Sequence, residues 1–309
     1  MFIFSFSGEN PSLAVAEAIS IVKPKKHELD NNLLLSDSIS GYERLAFTRA
    51  VYQVLFSATT TKGILQQASS FNWQQYYEGS FAVRIKGVDI AEKDFASIVW
   101  KNLKNPEVDL EKPKTPIAVI AGKKLYCCLL IAELKHSFSN RKPDLRPGFA
   151  PVSLNPKLAR AMVNLTGSNT SILDPFCGTG GVLIEAALMG LKAEGSDISK
   201  EMLEKAGTNL SYYKLKAKLQ QKDALKLSRK VPYVVSDLPY GQSSHVEPGL
   251  YKDFFKTLNK ILAKKAVVAL PYFSSSLLKG TKLRLEGHFK FYIHKSMTKH
   301  IIVLGKKTL

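Results

Sequence analysis

The sequence predicts an α/β fold for its C-terminal half, built on a doubly wound parallel sheet, and an α+β region before it. From residue 151 onward, short strand-like runs alternate regularly with helical patterns, which is typical of a parallel sheet with crossover helices. Residues 1–135 instead mix strands and helices in the manner of smaller α+β modules. At 309 residues, the chain is long enough for two domains that each bury a core.

The charge of the chain indicates a polyanionic partner. The formal net charge is +18, of which residues 1–150 carry +4 and residues 151–309 carry +14. A strongly basic chain of this kind favours binding to nucleic acid, although a basic surface can also serve solubility alone.

The composition argues against several other classes of protein. No apolar run reaches about 18 residues, and the first residues lack the charged start and apolar core of a signal peptide, so neither a membrane span nor a secretory leader is expected. Three cysteines cannot form a disulfide framework, which fits a reducing cytoplasm. The six histidines show no metal-ligand spacing, so no metal is expected.

The N-terminal region is expected to hold two modules. Residues 1–60 are predicted to form an α+β, ferredoxin-like module with a strand at 1–6, a helix at 11–22, a strand at 33–35 and an amphipathic helix at 40–56. Residues 61–135 are predicted to form a second module with a helix at 61–67, a strand at 80–86, a helix at 91–103 and strands at 115–121 and 124–134. The prolines and glycine of residues 136–150 indicate a linker.

Residues 151–309 are predicted to form the C-terminal domain. Its first five strands are expected at 171–173, 192–197, 218–222, 233–236 and 266–270, and its helices at 156–165, 182–189, 200–214 and 251–262. Two long strands follow around 283–294 and 300–304, and the short loop between them requires one to be antiparallel. A parallel sheet that ends in an antiparallel hairpin is the layout expected for a class I (Rossmann-like) methyltransferase.

A glycine-rich turn follows the first strand of this domain. Gly178, Gly180 and Gly181 allow close approach of a ligand to the backbone, and the next helix begins with unpaired N–H groups. This arrangement suits a nucleotide-like cofactor, although a tight turn without a ligand has the same residues. The spacing is neither that of a dinucleotide fingerprint nor that of a P-loop.

Acidic residues stand at the ends of three predicted strands: the strand before this turn and the two strands after it. Asp197 lies 23 residues after Asp174, at a position that suits ribose hydroxyls, and Asp223 could accept from an adenine amino group. Each aspartate could instead be a helix N-cap. The predicted cofactor-binding residues are Asp174, Phe176, Gly178, Gly180, Asp197, Ile198, Asp223 and Ala224.

The fourth strand ends in Asp237-Leu238-Pro239-Tyr240, which are the predicted catalytic residues. An exocyclic base amine is a poor nucleophile because its lone pair is delocalised, and acceptors aimed at its two hydrogens turn the lone pair outward. Asp237 and the Leu238 carbonyl can be those acceptors, Pro239 fixes the turn, and Tyr240 can stack on the base. The alternative is an ordinary turn after a strand.

These motifs resemble the amino-methyltransferases with an Asp/Asn-Pro-Pro-Tyr loop. With Phe-Ala-Val-Arg at 81–84, the segment 146–160 and the hairpin 293–298, nearly the whole chain resembles the archaeal THUMP-domain tRNA (guanine-N2)-methyltransferases acting at position 10. The resemblance implies S-adenosylmethionine as cofactor, tRNA as partner, N2-methylguanosine or its dimethyl form as product, and an RNA-binding THUMP-like domain at 61–135. By position, Asp174, Gly178 and Gly180 match the cofactor loop of the family, Asp197 its ribose ligand, Asp223 its adenine-side ligand and residues 237–240 its catalytic loop.

The chain departs from the family pattern at two positions of the catalytic loop. Leu238 replaces the usual first proline, and Gln242 stands where an arginine is expected. The same fold acting on another guanosine N2 or an adenine N6 in RNA therefore stays open, as does a non-catalytic RNA-binding protein. A monomer without membrane association is expected. Basic residues around 141–146, 157, 252, 256 and 295–299 are candidates for phosphate contacts.

Overall fold

The fold is taken from a computed structural model that describes residues 1–151, 153–240, 248–294 and 297–306, without the side chain of residue 294. It divides into two compact units. Unit 1 comprises Met1–Pro11, Val22–Tyr42 and Thr48–Lys135, and unit 2 comprises Ser12–Ile21, Glu43–Phe47 and the chain from His136. A membrane crossing needs about 20 apolar residues, and none of the helices within the described ranges meets that requirement.

Unit 1 is built on a seven-stranded sheet with the order β2-β3-β1-β4-β7-β6-β5. The strands are β1 (Phe2–Phe6), β2 (His27–Asp30), β3 (Leu33–Ser36), β4 (Thr48–Ala58), β5 (Phe81–Lys86), β6 (Thr115–Ala121) and β7 (Leu125–Glu133). β4 pairs with β1 on one side and β7 on the other, so one continuous sheet spans residues 1–60 and 61–135. Helices α2 (Thr61–Ser70) and α3 (Glu92–Lys101) pack on it around the buried Trp73.

The predicted helix at 40–56 is wrong. A 3₁₀ helix at Tyr42–Arg44 is followed by the 11-residue strand β4. The apolar residues of this stretch fit either period, but their β-branched and aromatic character favours a strand. Arg49 and Gln53 are its exposed positions, and the residues between them are buried in the middle of the sheet. The polar strand β2, at the edge of the sheet, was also not predicted.

Unit 2 contains the doubly wound domain, and its predicted layout is confirmed. The sheet has the order β10-β9-β8-β11-β12-β14-β13; the first five strands are parallel, and β14 pairs antiparallel to both β12 and β13. The strands are β8 (Ser171–Asp174), β9 (Lys192–Asp197), β10 (Lys218–Gln221), β11 (Val231–Asp237), β12 (Leu262–Leu270), β13 (Leu283–His294) and β14 (Met297–Lys306). The helices are α1 (Pro11–Val22), α4 (Pro156–Leu165), α5 (Gly181–Leu188), α6 (Lys200–Tyr212) and α7 (Leu250–Ile261).

A buried polar network ties α1 to α4 within unit 2. Glu17 accepts hydrogen bonds from the backbone N–H groups of Ala46 (2.7 Å) and Phe47 (3.0 Å) and from Asn164 Nδ2 (2.7 Å). Asn164 Oδ1 accepts from Arg44 Nε at 2.8 Å. Because the Glu17 carboxylate and the Asn164 amide are both hydrogen-bonded, these two buried polar groups are tolerated in the core.

Candidate active site

Asp174 lies at the carboxyl end of β8, where it is only 2% exposed. Its Oδ1 accepts hydrogen bonds from the Phe176 N–H at 3.1 Å and from the Ser236 hydroxyl at 2.6 Å. Burial raises the pKa of Asp174 to about 7, and the nearby charges of Asp237 and Asp197 also raise it. A buried carboxyl of this kind is expected to ionise when a cation binds beside it.

The glycine turn after β8 is shaped by positive φ angles and by Asp197 at the end of β9. Gly178 and Gly180 have φ of +48° and +84°. The space where a Cβ of Gly178 would stand is open, whereas a Cβ on Gly180 would lie 3.3 Å from Ala206. Asp197 accepts from the Gly178 N–H at 2.9 Å and from the Ser199 N–H at 3.0 Å. The loop and the next strand end therefore meet at one edge of the sheet.

The other predicted cofactor residues lie around the same edge. Asp223 follows β10 and caps the 3₁₀ helix Ala224–Lys226, whose first residue is buried. Ile198 is 71% exposed after β9. Phe176 is half-buried, with its ring centroid 5.0 Å from that of Phe254. Asp223 is therefore a helix N-cap, which is the alternative that the sequence left open for it. The roles of these residues in cofactor binding stay predictions.

Asn209 on α6 supports the glycine turn and was not predicted. Its Nδ2 donates to the carbonyls of Gly148 (3.0 Å) and Thr179 (2.9 Å), and its Oδ1 accepts from the Gly148 N–H (2.8 Å). The expected linker segment is thereby fastened to the turn. The helical spacing could have indicated this role, because Asn209 lies on the buried face of α6 with Ala206 and Leu210. A buried polar side chain is normally hydrogen-bonded.

Asp237 ends β11, the strand beside β8, and forms an ion pair that the sequence did not predict. Its Oδ2 accepts from Lys299 Nζ at 2.7 Å, and the two side chains are 13% and 6% exposed. Asp237 Oδ1 and the Tyr240 hydroxyl are buried and find no hydrogen-bond partner among the described residues. Burial raises the pKa of Asp237 to about 6, and the Lys299 ammonium opposes that rise. The same ammonium lies 4.3 Å from the centroid of the Tyr240 ring.

The middle of the predicted catalytic loop is anchored to the sheet and to α7. The Leu238 N–H donates to the Ala269 carbonyl at 2.9 Å, and its side chain is buried in the core under α7. The Tyr251 hydroxyl donates to the Pro239 carbonyl at 2.7 Å. Leucine therefore replaces the usual proline at a position where the side chain fills the core. Gln242, the second departure, lies outside the described residues.

Several cations that were candidates for phosphate contacts are turned inward. Arg141 binds Glu185 at 2.8 Å, and Arg146 is buried and donates to the Arg141 carbonyl. Lys299 is committed to the ion pair described above, and Lys295 lies outside the described residues. Because these side chains satisfy buried acceptors, we do not assign Arg141, Arg146 or Lys299 to phosphate binding.

Comparison with known proteins identifies the family. Residues 143–281 match the model of the UPF0020 family, described as an RMKL-like methyltransferase domain. A tRNA (guanine(10)-N2)-dimethyltransferase from Pyrococcus abyssi is 32% identical over 328 residues, covering 98% of this chain and 99% of that protein. The chain belongs to the tRNA (guanine(10)-N2)-dimethyltransferase family. A member from Methanothermobacter thermautotrophicus is also 32% identical, over 97% of this chain and 98% of its own.

Family membership confirms the resemblance inferred from the sequence motifs. The crystal structure of TrmN from Thermus thermophilus, which is 19% identical, superposes over 99% of both chains with a TM-score of 0.52 and so shares the fold. The chain is therefore a methyltransferase with a Rossmann-like catalytic domain.

The cofactor of this methyltransferase is S-adenosylmethionine, and the residues at the sheet edge fit it. The open space beside Gly178 admits close approach to the backbone. Asp174, Asp197 and Asp223 are acceptors that match the hydroxyl and amine donors of the cofactor and its positive charge. Asp237 Oδ1, which has no hydrogen-bond partner among the described residues, lies at the end of the neighbouring strand β11.

Proposed function

We propose that the chain methylates the exocyclic N2 amine of the guanosine at position 10 of tRNA, first to N2-methylguanosine and then to N2,N2-dimethylguanosine. The observation that supports this most strongly is Asp237, whose Oδ2 is held by Lys299 while its buried Oδ1 lacks a partner among the described residues. The names of the two relatives supply the nucleotide position and the second methyl group.

The residues of the catalytic loop act on the amine and its proton. Asp237 Oδ1 accepts one N–H of the amine and the Leu238 carbonyl accepts the other, so that the lone pair turns out of the ring plane. The nitrogen forms the new N–C bond while the C–S bond breaks with its electrons kept by sulfur, and one N–H proton passes to Asp237 Oδ1. S-adenosylmethionine supplies an activated methyl group, so much of the rate comes from alignment, to which stacking on Tyr240 contributes.

Binding of tRNA is proposed to use unit 1 as well as the catalytic edge. A cleft of about 580 Å³ between β5 and α3 is lined by Arg84, Lys93, Lys101 and the half-exposed Trp100. An aromatic ring among cations suits single-stranded nucleic acid, which supports the RNA-binding, THUMP-like role of residues 61–135. Because a nucleotide in a stem is paired, the target base must be flipped into the catalytic pocket.

We also propose the finer organisation expected from the sequence. Within the continuous sheet of unit 1, residues 1–60 supply a ferredoxin-like part, residues 136–150 join the RNA-binding region to the catalytic domain at 151–309, and the chain acts as a monomer in the cytoplasm. The three cysteines are free and buried, which suits a reducing compartment.

Incubation of the purified protein with labelled S-adenosylmethionine and unmodified tRNA tests this function. Nucleoside analysis is expected to find N2-methylguanosine and then N2,N2-dimethylguanosine, and mass-spectrometric mapping is expected to locate both at position 10. Label in N6-methyladenosine, or at another guanosine, would replace the proposal with one of the alternative substrates. Absence of any labelled nucleoside would remove it.

Asp237→Ala is the matched variant for this experiment. It is expected to lower the rate by at least about 10²-fold, because the amine loses both a hydrogen-bond acceptor and the base that takes its proton. Calorimetry is expected to show that binding of S-adenosylmethionine survives, since Asp237 lies on the strand end assigned to the base. Loss of cofactor binding in this variant would mean that Asp237 belongs to the cofactor pocket instead.

A further inference from the structure

The Lys299–Asp237 ion pair is buried, and a contribution to stability does not account for its presence. Both side chains are nearly withdrawn from solvent, at 6% and 13% exposure. Removing two charges from water is costly, so a buried pair stabilises a fold little, if at all, relative to well-packed apolar residues. The pair also leaves one carboxylate oxygen without a partner among the described residues, which adds to that cost.

The position of Lys299 follows from the antiparallel hairpin that closes the sheet. His300 on β14 lies opposite Leu270, the last residue of β12, so Lys299 extends one residue beyond the end of β12. On β13 its direct partner is Phe291, whose ring meets that of Phe47 edge-on at 6.0 Å. Directly paired residues of antiparallel strands lie on the same face, so the ring of Phe291 lies beside Lys299 and limits where the ammonium can go.

The ammonium of Lys299 contacts the two ends of the catalytic loop at once. It donates to Asp237 Oδ2 at 2.7 Å and lies 4.3 Å from the centroid of the Tyr240 ring. A hydrogen bond to one oxygen fixes the rotation of the carboxylate, and a cation over an aromatic face favours one ring position. Within the described part of the chain, Asp237 Oδ1 and the Tyr240 hydroxyl have no partner, so both can bind a ligand.

We propose that Lys299 is the positioning residue of the methylation site, holding Asp237 ionised and rotated so that Oδ1 accepts the target amine. This proposal rests on the proposed function, because it assigns Oδ1 to the amine. Lys299 acts through Asp237 and Tyr240 and does not touch the reacting atoms.

Several titratable groups face Asp237 besides Lys299 on β14. Asp174 on β8 feels its charge, as does Tyr251 on α7, and Tyr240 follows it in the loop. Lys299 is the cation that lowers the pKa of Asp237, against burial that raises it to about 6. Without the ammonium, the carboxyl is expected to stay protonated to higher pH, and a protonated Oδ1 cannot take the amine proton.

Carboxyl NMR titration of the protein without ligands tests the pair independently of activity. With ¹³C-labelled aspartate, the Asp237 signal is assigned by its loss in Asp237→Asn, which separates it from Asp174. In Lys299→Met the apparent pKa of Asp237 is expected to rise by at least about one unit, and in Lys299→Arg it is expected to stay near that of the parent. Lys306→Met is the matched control, because Lys306 is on the same strand but donates to the carbonyls of Asn259 and Leu262. An unmoved Asp237 titration in Lys299→Met overturns the proposal.

Single-turnover methylation across pH then tests the catalytic consequence. Lys299→Met is expected to slow the reaction about 10²-fold at pH 7 and to move the acid limb of the rate profile upward, while affinities for S-adenosylmethionine and tRNA change less than about threefold. A slower rate with an unmoved limb would reduce Lys299 to a structural residue. If the parent enzyme itself gives no methylguanosine, the proposed function fails, whereas the NMR titration still decides the pairing.

A double variant covers the outcome in which Lys299→Met does not fold. Removing one partner of a buried pair leaves an unpaired charge, whereas removing both does not. Lys299→Met combined with Asp237→Asn is therefore expected to melt at a higher temperature than Lys299→Met alone. If the second substitution lowers the melting temperature further, the two residues are not coupled and the proposal fails.

Discussion

Asp174 and Asp237 end neighbouring parallel strands, but their carboxyl groups have different hydrogen-bond partners. Asp174 is hydrogen-bonded at Oδ1 by groups of its own domain, whereas Asp237 is held by a cation at Oδ2. The charge of Asp237 disfavours ionisation of Asp174. The strand ends were predictable from the sequence because an aspartate follows each apolar run.

Lys299 was not predictable in the same way. It lies in a run of basic residues, and such a run predicts a phosphate-binding surface. Only the pairing of β14 with β12 and β13 shows which way it faces, because neighbouring residues on a strand point to opposite sides. That pairing joins residues far apart in sequence, so no local pattern contains it.

At the residue scale, we expect Asp174→Asn to stabilise the protein above pH 7. Because the folded pKa of about 7 exceeds the ordinary 3.8, the folded state binds the proton more tightly, and stability falls as pH rises from about 4 through about 7. That difference corresponds to at most about 4 kcal/mol. Asparagine keeps the acceptor, since Phe176 and Ser236 both donate to Oδ1. Thermal unfolding at pH 5 and pH 8 measures the difference in melting temperature between Asp174→Asn and the parent, and this difference is expected to be larger at pH 8.

Asp253→Asn is the control for this comparison, because Asp253 is exposed and pairs with Lys256 on the surface of α7. Its melting temperature is expected to follow that of the parent at both pH values. An equal gap for Asp174→Asn at pH 5 and pH 8 would contradict a proton held by Asp174.

At the element scale, α4 and α5 are joined by a buried carboxylate between two guanidinium groups. Glu185 on α5 is fully buried and accepts from Arg160 on α4 at 2.9 Å and from Arg141 at 2.8 Å. The helices themselves were predictable, because local periodicity and capping residues define them. β4 was not, since its identity depends on pairing with β1 and β7, which lie outside any sequence window.

Glu185→Gln is expected to lower the free energy of unfolding by about 3–5 kcal/mol, because two buried guanidinium groups lose their counter-charge. Denaturant unfolding measures this loss. Glu201→Gln is the matched control: Glu201 pairs with Lys205 at 2.7 Å, but at 68% side-chain exposure. Its midpoint is expected to stay within error of the parent, since exposed pairs contribute little. A similar small effect in both variants would show that the arginines find other acceptors.

At the scale of the whole molecule, the net charge of +18 is concentrated in residues 151–309. Some of these cations are internal, as the inward-facing Arg160 and Lys299 show, so the formal charge overstates the surface available to phosphates. Composition therefore predicted the class of partner but not the residues that contact it.

Affinity for tRNA is expected to fall at least tenfold between 50 and 200 mM salt, because each neutralised phosphate releases condensed counterions. Affinity for S-adenosylmethionine is expected to change by less than about threefold, since a small ligand that is not a polyanion releases no comparable set of condensed counterions. Fluorescence titration with tRNA and calorimetry with the cofactor provide the two measurements. Equal salt sensitivity for both ligands would argue against a polyanion as the main partner.

The contact between α1 and α4 has a consequence for biosynthesis. Glu17 leaves the ribosome early, but Asn164, its buried partner, follows 147 residues later. Because translation proceeds at about 5–20 residues per second, α1 spends on the order of ten seconds without the helix that buries its carboxylate. The strands of unit 1 are complete by residue 133, so that sheet can form while α1 waits. The first helix synthesised thus stays without this buried partner until α4 has been made, and a chaperone that shields it has a defined interval in which to act.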